Sequence, residues 1–161
     1  MNNEDVYLAD AIEVIEEILG GGGEFRMYPR GVSMMPLIVQ GKDSVVLKRR
    51  VGNEIQPVNK HDIAFYRRDS GQFVLHRVMR ISRNGNYTMC GDNQVALEKN
   101  VRPDQIIGYV DRIYKEDKLL SFNSIRYKIY VLFWTFMPYR HVIRFFERGF
   151  RFIKRKLFGK R

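Results

Sequence analysis

The stretch QFVLHRVMRISRNGNYTMC, residues 72–90, decides how this chain folds. Two runs rich in β-branched, aromatic and other apolar residues, Gln72–Ile81 and Asn86–Cys90, flank Asn84-Gly85, a pair that accepts the positive backbone angles of a tight hairpin turn. Two antiparallel strands are therefore expected here. The pattern continues on both sides. Ser44–Arg50, Asp62–Arg67, Ile106–Tyr114 and Lys118–Phe122 read as further strands. Turn signals at Gly52-Asn53, Asp69-Ser70-Gly71, Gly91-Asp92-Asn93 and Glu116-Asp117 set them off. Close spacing without long intervening helices predicts a mainly β chain whose body, residues 24–122, is a partly closed antiparallel fold.

The two ends of the chain read differently. Leu8, Ala11 or Ile12, Ile15 and Ile18 with Leu19 recur at helical steps, with Asp10, Glu13, Glu16 and Glu17 on the other side. An amphipathic helix is expected there, capped by Asn2 or Asn3 and stopped by the Gly20–Gly23 run, so that residues 1–23 form a separate opening segment. It is too acidic and too interrupted to be a secretion signal or a membrane span, so no N-terminal anchor is expected. At the other end, residues 126–161 hold eleven Lys and Arg against Glu147 alone, giving that segment +10 while the first 125 residues sum to zero. Ile129–Tyr139 is uncharged but only eleven residues long, against the ~20 that a spanning helix needs, and Pro138 interrupts it. Beyond it Arg140, Arg144, Arg148, Arg151 and Arg155 form a basic stripe, with Val142, Phe145, Phe146, Phe152 and Ile153 on a different face. Basic charge beside aromatic anchors describes helices lying in a membrane interface. Residues 123–161 are thus expected to be a basic helical tail, and an anionic membrane surface its partner; nucleic acid is not expected.

Composition narrows the chemistry. At 161 residues, 45% hydrophobic and 13% aromatic, the chain supports one core and is not a disordered protein. A single cysteine, Cys90, leaves no intrachain disulfide and no cysteine-rich zinc site. His61, His76 and His141 lack the spacing of a metal hydrolase, and the Gly20–Gly23 run is no phosphate loop. No metal or cofactor is expected.

Three ordered stretches carry the functional reading. The first is Gly31-Val32-Ser33-Met34-Met35-Pro36, followed by Gly41-Lys42-Asp43. The second is Leu75-His76-Arg77-Val78. The third is Gly91-Asp92-Asn93, with Glu98 six residues after Asp92 and a closing Ile107-Gly108-Tyr109-Val110 run. Ser33 lies in a turn between Gly31 and Pro36, where its hydroxyl can face outward. A serine hydroxyl needs a neighbouring base to become a nucleophile, and His76 suits that role because an imidazole titrates near neutrality. A carboxylate could fix its tautomer; Asp92 and Glu98 are the candidates, and backbone N–H groups near Ser33 would have to stabilise the oxyanion. His61 and His141 read as surface residues, and Cys90 as a small buried residue.

These stretches resemble the signal peptidase I and LexA-like serine peptidase superfamily over roughly Phe25 to Tyr114. The resemblance implies that Ser33 is the nucleophile and His76 the general base, in the position where bacterial members usually carry lysine and the histidine branch carries histidine. It maps the family's Gly-Asp-Asn aspartate to Asp92 and a second acidic position to Glu98, where aspartate is more usual. Gly31-Val32 stands where bacterial enzymes often have Ser-Gly, so a side-chain oxyanion donor is missing. The activity implied is a serine endopeptidase removing a signal or leader segment from a precursor held as an extended strand, at the face of the bacterial cytoplasmic membrane. A LexA-like self-cleaving regulator fits less well, because no Ala-Gly dipeptide occurs in the chain. A non-enzymatic β module, binding membrane or nucleic acid through its basic tail, is the remaining alternative.

Overall fold

A computed structural model describes residues 3–49 and 58–136. The chain divides into two compact units, Met1–Phe122 and Asn123–Arg161. Among the described residues it is mainly β: eight antiparallel strands in an open sheet, with two α-helices.

The first unit opens with α1 (Asn3–Gly20), which the glycine run stops as expected. Gly22 has φ +78°, and its N–H reaches the Leu19 carbonyl while that of Gly23 reaches Ile18, a left-handed cap that suits glycine. Ile12, Ile15 and Leu19 are buried. A side chain on Gly108 would meet the Leu19 Cδ1 at 3.1 Å, so this helix docks where a strand offers no side chain. The strands are β1 (Phe25–Met27), β2 (Asp43–Lys48), β3 (Ile63–Arg67), β4 (Phe73–Ile81), β5 (Tyr87–Cys90), β6 (Glu98–Val101), β7 (Ile106–Lys115) and β8 (Lys118–Leu120). Their hydrogen-bonded order is β1-β2-β7-β3-β4-β5-β6, with β8 on β7.

Residues 43–47 of β2 and 63–66 of β3 are buried without a break, which marks strands covered on both faces. One core cluster joins Val58, Ala64, Tyr66, Val78, Tyr87, Met89, Val101 and Ile106. The hairpin read from residues 72–90 is the β4–β5 pair, with Gly85 at φ +81° in its turn. The sheet is open. The pairing path has two ends, β1 and β6, and among the described residues no ladder joins them. Both end strands are three or four residues long.

In the second unit α2 (Ile125–Thr135) starts at Ser124, whose hydroxyl accepts the Tyr127 N–H at 3.2 Å. Tyr130 and Trp134 stack one turn apart, with centroids 5.2 Å from each other. The basic stripe expected over residues 140–155 lies outside the described residues. No helix among the described residues is long and apolar enough to cross a membrane.

Candidate active site

Ser33 sits in the loop between β1 and β2, and that loop is pinned from three sides. Met34, Leu37 and Ile38 are buried beneath it. At its foot the buried carboxylate of Asp43 accepts the Val39 N–H at 2.7 Å and pairs with Lys115, whose ammonium also donates to the Leu37 carbonyl at 2.9 Å. Above, the Gly31 N–H donates to the Gln40 side chain at 2.7 Å. The fixed φ +88° of Gly31 turns the chain into the serine.

His76 comes from the middle of β4 and is 2% exposed. The next residue, Arg77, registers with Cys90, so the hairpin delivers the Gly91-Asp92-Asn93 turn directly to the imidazole. That turn is clamped to the serine loop: the Asn93 N–H donates to the Ser33 carbonyl at 2.7 Å, and its side-chain amide to the Val32 carbonyl at 3.0 Å. Gly91 lies between the two groups. A Cβ built there would stand 3.1 Å from His76 Nε2, 3.1 Å from Ser33 Cβ and 2.6 Å from the Ser33 carbonyl oxygen. Nε2 and Ser33 Cβ are therefore no further apart than twice that 3.1 Å. Among the described residues no hydrogen bond joins the Ser33 hydroxyl to the ring. Catalytic hydrogen bonds are commonly long until substrate is bound.

The other ring nitrogen faces away from the serine. Nδ1 lies 3.2 Å from the Tyr66 hydroxyl, which donates to Glu98 Oε2 at 2.8 Å. Glu98 Oε2 is itself 4.0 Å from Nδ1, too far for a hydrogen bond, so the phenol stands between them. Arg68 grips both Glu98 oxygens, with Nε at 2.9 and 3.0 Å and the terminal nitrogen at 2.6 Å from Oε2. Asp92, which the resemblance puts forward as the third member, is engaged elsewhere. Its two oxygens accept from Arg77 at 2.8 and 2.6 Å, and both side chains are fully buried. The third Arg77 nitrogen, Nη1, donates to the His61 carbonyl at 2.9 Å, in a turn where His61 has φ +76°. Of the two carboxylates left open by the sequence, Glu98 therefore lies behind the imidazole and Asp92 beneath the turn.

Charge and burial follow from this arrangement. Burial, reinforced by the nearby Arg68 charge, lowers the His76 pKa from 6.5 to about 4 despite the opposing pull of Glu98 and Asp92. Burial and the Glu98 hydrogen bond push the Tyr66 phenol far above its usual range. For Glu98, burial acts upward, but the hydrogen bonds from Arg68 and Tyr66 prevail and hold the carboxyl below its ordinary value. The site thus pairs a neutral, dry imidazole with an ionised carboxylate one phenol away. Cys90 is buried, with its thiol against the carbonyls of Gln94 and Ala96. His141 lies outside the described residues.

Tyr66 and Arg68 carry no motif in the sequence. Tyr66 is two residues along β3 from Ala64, which registers with His76, so it is the diagonal neighbour of the imidazole on the same face. Only the strand register reveals it. Gly91 was legible as a turn glycine, but not as the gap between His76 and Ser33. Comparison with protein-family models, with curated proteins and with solved structures finds no match.

Proposed function

We propose that this chain is a serine endopeptidase of the signal peptidase I type, which removes a signal or leader segment by a Ser33–His76 mechanism. The observation that carries the reading is the position of Gly91, whose missing side chain leaves the space that His76 Nε2 and Ser33 Cβ both border. In the reaction Ser33 Oγ attacks the scissile carbonyl as its proton passes to Nε2. The tetrahedral oxyanion is held by backbone N–H groups of the serine loop, since Gly31 and Val32 offer no side-chain donor. Collapse releases the amine with the proton from His76, and water then hydrolyses the acyl-serine by the same route. The low imidazole pKa keeps the ring neutral at neutral pH and well below it, so it can take a proton.

The substrate in this reading is an extended precursor segment, bound against the serine loop, whose Val32 and Met35 side chains are exposed. The tail brings the enzyme to an anionic membrane surface. Ile125, Ile129, Leu132 and Phe136 are exposed at helical spacing along and just past α2, and the strongest positive charge of the sequence follows them.

Labelling with a fluorophosphonate, which phosphonylates activated serines at oxygen with loss of fluoride, tests the chemistry. A stable adduct on Ser33 is expected, lost in Ser33→Ala and reduced by about 10,000-fold or more in rate in His76→Ala. An intact, folded protein that takes no label at Ser33 contradicts the proposal and leaves a non-enzymatic β module.

A further inference from the structure

We infer that Tyr66 is the positioning residue that decides which nitrogen of His76 serves as the base, passing the influence of Glu98 to the ring through one hydroxyl. The inference rests on the Ser33–His76 reading for its catalytic meaning, but its physical content stands on the hydrogen bonds alone.

A phenol has one proton and can donate it once. Glu98, ionised and held at both oxygens by Arg68, has none to give. The 2.8 Å contact between the Tyr66 hydroxyl and Glu98 Oε2 must therefore contain the phenol's proton; without it two acceptors would face each other beside a full negative charge. With its proton so committed, the Tyr66 oxygen can only accept from Nδ1. The 3.2 Å contact on that side is then Nδ1–H donating to oxygen, and the ring's lone pair lies on Nε2, toward Ser33. Glu98 could not do this itself, because 4.0 Å separates it from Nδ1. Tyr66 is also fully buried in the core cluster, so the hydroxyl is held in place by packing on its own ring. The consequence for the reaction is direct. A ring carrying its proton on Nε2 cannot take one from Ser33, and an imidazole without a partner prefers that tautomer. When Nε2 is protonated during attack, the resulting imidazolium keeps the same Nδ1–H bond, now charge-assisted.

Nitrogen-15 NMR of full-length protein with ring-labelled histidine reads the tautomer without any substrate. The His76 signals are identified by their loss in His76→Gln. At neutral pH the wild type is expected to show a protonated Nδ1 and a bare Nε2. Tyr66→Phe, which removes one oxygen and keeps the packing, is expected to move the proton to Nε2 and to slow acylation of Ser33 roughly 100-fold. A wild-type His76 protonated on Nε2 overturns the inference, and this measurement suffices even if the variant does not fold. An unchanged Nδ1–H in folded Tyr66→Phe overturns it equally. Failure of the peptidase reading looks different: the tautomer is as expected, but Ser33 takes no label.

Discussion

Gly91 does the most for the site with the fewest atoms. Its Cα–H side faces the Ser33 carbonyl, the Ser33 Cβ and His76 Nε2 together, so alanine there must displace backbone as well as side chain. Gly91→Ala is expected to lower the Ser33 acylation rate on the order of 100-fold by moving base and serine apart, while the fold survives. Rates against unfolding curves check this; a variant as fast as wild type removes Gly91 from the account. The sequence made Ser33 and His76 legible because each sits in a recognisable local pattern. It could not make Tyr66 and Arg68 legible, because their relation to His76 exists only once β3 and β4 are in register. The choice between Asp92 and Glu98 was closed to it for the same reason. Six residues separate the two in the chain, but Asp92 pairs with Arg77 while Glu98 meets the Tyr66 hydroxyl beside His76.

The β4–β5 hairpin is the element on which the arrangement turns, since it carries His76 and Arg77 on one strand and ends at the Gly91-Asp92-Asn93 turn. Beneath that turn the Arg77–Asp92 pair is fully buried. Removing one partner strands the other charge in the core, so Asp92→Ala is expected to lose about 3–5 kcal/mol in urea unfolding. Glu98→Ala, at a carboxylate more than a quarter exposed, is expected to lose much less stability and instead to slow Ser33 acylation. The reverse ranking would return Asp92 to the role the resemblance gives it. The hairpin itself was legible from the two runs rich in β-branched, aromatic and other apolar residues that flank Asn84-Gly85. β1 and β6 were not: Phe25-Arg26-Met27 is too short for a period, and Glu98-Lys99-Asn100-Val101 is polar. Both are end strands, where one face of hydrogen bonds and a few contacts suffice.

Across the molecule, charge is divided as sharply as structure. The first 125 residues are neutral, and the remainder carries the net +10. Full-length protein is expected to bind vesicles containing anionic lipid and to leave them as salt rises; replacing Arg140, Arg144, Arg148, Arg151 and Arg155 by Gln should weaken binding by about 1 kcal/mol per charge near the surface while leaving Ser33 acylation unchanged. Binding that is indifferent to salt and to these substitutions rejects the anionic surface as partner. The claim beneath all of this is that a buried, neutral imidazole activates one hydroxyl, and the pH dependence of Ser33 phosphonylation by a fluorophosphonate tests it most directly. In the proposed reaction the unprotonated ring is the base, and burial lowers its pKa, so the rate is expected to persist below the ordinary imidazole value of 6.5 and to fall only as the pH drops through about 4. A Ser33 adduct whose rate follows that acid limb, and which vanishes in His76→Ala, is the predicted result; no adduct, or one formed as fast without the imidazole, contradicts it.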